Sequence, residues 1–195
     1  MVQSIFNHIA IWDTKTIGAW RKKHPEVSEQ ELLELWWHKR KKLEADAVIV
    51  RDSDQEENSF HRALRMILDM PDVKSIRVLT NFREVKYFEG TSGIHFKRGN
   101  PSKEIPKGII CGISAHSKNG VIQAAVNGMD YVILSPVFPT SSHPGETSMG
   151  VEKFSKICTL VEIPVFALGG ITIENRELCK VAGAHGTAAI SLYMP

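Results

Sequence analysis

Two places in this sequence could grip an anion. Gly169-Gly170 ends the apolar run Ile163-Pro-Val-Phe-Ala-Leu168, and Ile190-Ser191 ends Gly186-Thr-Ala-Ala189. Glycine lets a backbone approach a ligand closely and leaves N–H groups free for an anion. A Gly-Gly pair also makes an ordinary tight turn, but beside Ser191 at a second strand end the phosphate reading is favoured. Proton-transfer chemistry has two candidates. His143 lies in Thr140-Ser-Ser-His-Pro-Gly145, and His116 closes Gly112-Ile-Ser-Ala-His116. An imidazole in either place can take or give a proton near neutral pH. Arg51-Asp-Ser-Asp54 adds carboxylates at Asp52 and Asp54, although a turn carboxylate is usually just solvated.

These residues need elements to hold them. Tyr131 to Pro139 and Ile163 to Leu168 are apolar and β-branched without polar alternation, the pattern of strands buried on both faces. Further strands are expected at Phe6–Trp12, Ala45–Val50, Ile76–Thr80, Gly93–Phe96, Ile109–Ile113 and Gly186–Ser191. Ser28-Glu-Gln-Glu31 has the form of a capping box and opens a helix with Leu32, Leu33, Trp36 and Trp37 on one face. Other helices are expected over 59–69, 118–127 and 172–181, with a helical turn over 84–88. Residues 14–27 read as an irregular insertion, and 97–107 as a loop. Eight strands alternating with helices make a parallel (β/α)₈ TIM barrel the economical fold, as one domain over residues 1–195. In such barrels the loops after strands seven and eight commonly hold a phosphate. Gly169, Gly170, Ile190 and Ser191 stand there.

Little sequence follows strand eight, so most or all of the final helix is expected to be missing. That would leave Ile9, Ile11 and Ala189 exposed, to be covered by the 14–27 insertion with Ile17 and Trp20, or by a second copy in a homodimer.

Bulk properties exclude some partners. The 195 residues carry a formal charge of +2, with 43% hydrophobic and 24% charged residues. That balance gives no reason to expect nucleic acid. No apolar run approaches the roughly 20 residues of a membrane span, and the N-terminus lacks the form of a signal peptide. Cys111, Cys158 and Cys179 show no metal-type spacing and read as reduced core thiols of a cytoplasmic protein.

Several motifs occur in a specific order: Gly93-Ile-His-Phe96, Gly112-Ile-Ser-Ala-His116, Gly128-Met-Asp-Tyr-Val132, Ser135-Pro-Val-Phe-Pro-Thr140, Ile163 to Thr172, and Ala182-Gly-Ala-His-Gly186. Together they resemble thiamine phosphate synthase and its sister, the TenI-like thiazole tautomerase. The resemblance is strong over residues 75–192 and weaker through Asp13 and Arg51–Asp54. It implies thiamine biosynthesis, with a thiazole phosphate or thiamine phosphate bound at the C-terminal face of the barrel. Thr140, Ser142, Gly169, Gly170 and Ser191 match the half that holds the thiazole phosphate. Arg51, Asn81 and Ser114 match the pyrimidine diphosphate side.

The synthase joins a hydroxymethylpyrimidine diphosphate to a thiazole phosphate, using Mg²⁺ and basic residues to stabilise the leaving diphosphate. Its pattern has Asp where Phe82 and Asn100 stand, and Lys where Ser53 and His143 stand. The two Asp are the expected Mg²⁺ ligands. Their replacement leaves no metal ligand and no certain cofactor, and argues against diphosphate displacement. The tautomerase has a His just after strand six, where this chain has Ser135-Pro136. An isomerase would therefore need a relocated acid–base group, His143 or His116; His143 and Arg51 are the catalytic candidates. His95 and His116 occur widely in the family, which fits a buttressing role at the strand ends equally well. The remaining alternatives are a barrel that binds a phosphate ligand without turnover and an unrelated sugar-phosphate isomerase on the same fold.

Overall fold

Residues Ala47, Val48, Ile49 and Val50 are all buried in succession, as a strand covered on both faces must be. Seven more strands join it in the computed structural model, which describes residues 6–53, 56–97, 107–140 and 147–195, with Glu57 by its backbone only. The strands are β1 (His8–Asp13), β2 (Ala47–Arg51), β3 (Arg77–Asn81), β4 (Gly93–Phe96), β5 (Ile110–Ala115), β6 (Tyr131–Leu134), β7 (Val165–Ala167) and β8 (Gly186–Ala189). All neighbours pair parallel and in sequence order, and the sheet closes into a barrel by pairing His8 with Thr187, Ile9 with Ala188 and Ala10 with Ala189. The fold is the expected (β/α)₈ TIM barrel.

Six helices lie outside the barrel among the described residues: α1 (Thr14–Lys23), α2 (Glu29–Lys42), α3 (Glu57–Leu68), α4 (Lys118–Val126), α5 (Gly150–Cys158) and α6 (Arg176–Val181). Helix α2 begins with the predicted capping box, Ser28 and Glu31 each bonding the other's backbone N–H. Leu32, Leu33, Trp36 and Trp37 are its buried face. After β8 the chain makes a 3-10 turn, Ser191–Tyr193.

Three expectations need correction. Residues 14–23 form a regular helix, where an irregular insertion was expected. Asp13 caps it, accepting from the Thr16 N–H at 2.8 Å and from the Thr16 hydroxyl at 2.7 Å, and Arg21, Lys22 and Lys23 suit its C-terminal dipole. Residues 84–88 form no helical turn. Phe82 and Phe88 pack on Phe60 of α3, with ring centroids 4.6 and 5.3 Å away, and this pins an extended loop.

Third, Ile9, Ile11 and Ala189 are buried. Ile9 and Ile11 point into the barrel, where they pack with Phe6, Ile49 and Phe166. The outward residue Trp12 meets Trp36 of α2 edge-on at 5.2 Å, and Trp36 in turn meets Tyr193 at 6.4 Å. Tyr193 is fully buried, and its hydroxyl accepts from Arg176 Nη2 at 2.6 Å. The Lys39 ammonium donates to the Met194 carbonyl. Helix α2 and the last described turn therefore cover the seam where β1 meets β8.

Among the described residues no helix is long and apolar enough to cross a membrane. The three cysteines are free thiols, with Cys179 buried and Cys111 and Cys158 half-buried. Burial pushes Cys158 up to about 12 and Cys179 up to about 11, so neither is a ready thiolate.

Candidate functional site

A cavity of about 520 Å³ opens where the barrel strands end. Arg51 of β2, Asn81 of β3, Ser114 of β5, His116, Ser135, Thr140, Gly169, Gly170, Ile190 and Ser191 all line it. The structure thus brings these candidates together, whereas Asp52, the carboxylate candidate that it describes, does not line the cavity. Ser142 and His143 lie outside the described residues, as do Asn100 and Asp54. Ile11, Ile49 and Ile133 supply an apolar floor from the barrel interior.

One end of the cavity is built from backbone. Gly169 and Gly170 have φ of 98° and 63°, a left-handed conformation that other residues adopt only under strain. A Cβ on Gly169 would lie 2.8 Å from Pro136, and one on Gly170 would lie 2.4 Å from the Pro139 carbonyl oxygen. The loops after β6 and β7 are therefore in contact along their backbones, with Val137 N–H donating to Leu168 and Phe138 N–H to Gly169. Asn175 holds the other side, its Nδ2 donating to the Gly170 carbonyl at 2.8 Å. The Gly169 and Gly170 N–H groups donate to no backbone oxygen among the described residues. Successive free N–H groups in such a turn form an anion-binding nest, and Ser191 lines the cavity beside them.

Strand β5 supplies the middle. Ser114 and His116, two residues apart, both face the cavity. His95 Nε2 stands 2.8 Å from Ser114 Oγ, and His95 Nδ1 stands 2.9 Å from the Tyr131 hydroxyl. Burial, reinforced by the Arg51 charge, pushes His95 down to about 3, so the imidazole is neutral at physiological pH. His116 is set differently. Its Nδ1 lies 3.1 Å from the Ser135 carbonyl oxygen and 3.3 Å from the Ser135 hydroxyl, so Ser135 can pair with either tautomer. The His116 Nε2 has no partner among the described residues.

The far end is cationic. Arg51 and Lys97 line the cavity, whereas no carboxylate does so among the described residues. Asp13 Oδ2 lies 3.5 Å from Arg51 Nε and also accepts from Ser53 Oγ at 2.6 Å. Asn81 Nδ2 donates to the His95 carbonyl at 2.6 Å, which fixes the amide against β4. Lys97 escaped the sequence reading, because a lysine one residue past a short strand looks like any solvated loop cation.

A family model described as thiamine monophosphate synthase matches residues 24–192. The chain belongs to that family. It is 32% identical over 152 residues to the putative thiamine-phosphate synthase 2 of Aquifex aeolicus, covering 75% of this chain and 82% of that one. It is 31% identical over 152 residues to a putative thiamine-phosphate synthase of Geobacter sulfurreducens, covering 74% and 71%. Among solved structures, the thiamine phosphate pyrophosphorylase of Pyrococcus furiosus superposes with a TM-score of 0.71 at 20% identity, covering 97% of this chain and 87% of the other. At that identity the superposition speaks for the fold alone.

Among the described residues the donor set does not fit the Mg²⁺ that the synthase family implies. Phe82, at one expected ligand position, packs among Phe60, His61 and Phe88 and is not part of the cavity wall. Asp52 is engaged by Arg83 Nε at 3.0 Å through one oxygen. Its other oxygen is buried without a partner among the described residues, but a hard cation takes several oxygen ligands. Among the described residues no group of three His, Cys, Asp or Glu side chains could hold a metal ion.

Proposed function

We propose that this member of the thiamine monophosphate synthase family binds a thiazole phosphate or thiamine phosphate, with diphosphate displacement weak or absent. The observation that carries the reading is the shared cavity of Gly169, Gly170 and Ser191 with Arg51 and Lys97, walled by no described carboxylate. The nest takes the phosphate. Thr140 and Ser114 contact the body of the ligand, and the cations balance its charge without a metal. Ser53 and Phe82 replace charged groups on which a departing diphosphate depends.

A second reading, a thiazole tautomerase-like isomerase, is favoured by one observation. His116 Nδ1 lies 3.1 Å from the Ser135 carbonyl, and donation to that oxygen leaves Nε2 as a base at the cavity wall. Removal of a ring-adjacent proton by Nε2, and its return to a neighbouring atom, would be a balanced isomerisation.

Calorimetric titration of thiazole phosphate, pyrimidine diphosphate and thiamine phosphate, each with and without Mg²⁺, tests both readings. Thiazole phosphate and thiamine phosphate are expected to bind equally well without Mg²⁺. Failure of both to bind, or synthase turnover at an ordinary enzyme's rate, overturns the first reading. Exchange of thiazole-phosphate protons with solvent that survives His116→Gln removes the second.

A further inference from the structure

We infer that Tyr131 and His95 are positioning residues that fix the Ser114 hydroxyl as a hydrogen-bond donor into the cavity. His95 on β4 pairs with Gly112 on β5, and Gly112 pairs with Tyr131 on β6. A Cβ on Gly112 would lie 2.0 Å from the Tyr131 ring. Glycine at this position lets the ring pass across β5 and reach His95, with ring centroids 5.6 Å apart and an interplanar angle of 27°.

The proton positions then follow by elimination. The three side chains form one chain of contacts, Tyr131 Oη to His95 Nδ1 at 2.9 Å and His95 Nε2 to Ser114 Oγ at 2.8 Å. Tyr131 is fully buried, and its hydroxyl has His95 Nδ1 as its one partner among the described residues. A buried phenol keeps its proton and must donate it somewhere, because an unmade bond costs the full desolvation of the donor. It therefore donates to Nδ1. A neutral imidazole carries one proton, so that proton sits on Nε2 and is donated to Ser114 Oγ. Ser114 already accepts on the barrel side, and its own O–H is free to point at the ligand. The opposite arrangement would leave the phenol proton without an acceptor inside the barrel.

The consequence for recognition rests on the proposed binding function. The Ser114 O–H then favours an acceptor on the ligand, such as an unprotonated ring nitrogen or a phosphate oxygen. A ligand that presents an N–H there can use only the remaining Ser114 lone pair and leaves the O–H without an acceptor, so it binds less well.

Nitrogen-15 spectra of histidine-labelled, unliganded protein near neutral pH test the relay directly, with His95→Gln assigning the signals. A protonated Nε2 and an unprotonated Nδ1 are expected at His95, and a proton on Nδ1 overturns the inference. Titration of thiamine phosphate gives a second readout. Ser114→Ala should weaken binding about tenfold, the value of one hydrogen bond. His95→Leu should weaken it several-fold, whereas His95→Gln, whose amide can donate to Ser114, should recover most of the loss. Equal affinities for the Leu and Gln variants would sink the positioning role. Failure of the wild type to bind thiamine phosphate would instead remove the functional reading, and the spectrum would still decide the tautomer.

Discussion

Asp13 Oδ2 lies 3.5 Å from Arg51 Nε across the ends of β1 and β2, while Asp13 Oδ1 caps helix α1. One carboxylate thus does two jobs, and Asp13→Asn separates them. Asparagine caps about as well as aspartate, so stability should fall by less than about 1 kcal/mol. Arg51 loses its counter-charge, and affinity for thiamine phosphate should rise a few-fold at low salt. Calorimetry on the variant checks this, and weaker binding would show that Asp13 organises Arg51 more than it neutralises it.

The glycine pair gives a graded prediction. Gly128 has a φ of 70° but nothing within 4 Å of an added Cβ, so Gly128→Ala costs only backbone strain, about 1–2 kcal/mol. Gly170→Ala meets the same strain and a carbonyl oxygen at 2.4 Å. Its cost should be about 3 kcal/mol or more, with phosphate binding lost. Urea unfolding of the two variants orders them, and equal losses would mean that the contact between the two loops is soft.

Phe82→Asp, the change that would restore a family carboxylate, should lower stability without restoring synthase turnover. Its side chain would enter the cluster of Phe60, His61 and Phe88 as an unpaired charge. A loss of about 2–4 kcal/mol is expected in denaturant titration, and thiamine phosphate formation should stay at background.

Much of this was legible before the coordinates. Strands such as Ala47–Arg51 announce themselves because both faces are buried, and α2 because Ser28 and Glu31 form a capping box. Gly169 and Gly170 were readable as a ligand-facing turn, and the cavity lies against them. Helix α1 was not readable, because only Thr14 and Ile17 of its ten residues are buried, too few to draw an apolar stripe. The partnership of Tyr131 with His95 was invisible for another reason. It depends on the register of three strands, and no local pattern encodes register between β4 and β6. The expectation that Ile9 and Ile11 face outward failed on the same ground, since a barrel strand has an inner face as apolar as its outer one.

Acid stability should carry the mark of His95. Its folded form takes a proton only at about 3, whereas the ordinary value is 6.5. Between those values the unfolded chain binds more protons, so stability rises with pH across the window. The contribution is complete above about 6.5 and is lost progressively toward about 3. His8, also lowered by burial and then by Arg176, acts in the same direction. His95→Gln should flatten part of the slope, measured as denaturation midpoints at several pH values. An unchanged slope would place the acid sensitivity elsewhere.

Tyr193→Ala should cost about 3 kcal/mol or more, because it opens a void beside Trp36 and strips Arg176 of its acceptor. Tyr193→Phe keeps the ring, and it should cost about 1–3 kcal/mol for the bond to a charged donor. A thermal melt of each variant settles whether ring or hydroxyl matters more.

The closure of β8 onto β1 also sets an order in time. His8 Nδ1 contacts the Thr187 hydroxyl at 2.9 Å across 179 residues, and His185 bonds the Phe6 carbonyl over the same span. As the chain leaves the ribosome, β1 therefore waits with one edge unpaired until β8 emerges. An open strand edge invites pairing with other chains, and contacts this distant in sequence form slowly. The emergence of β8 releases β1 from that exposure, so the nascent barrel is most vulnerable just before that pairing forms.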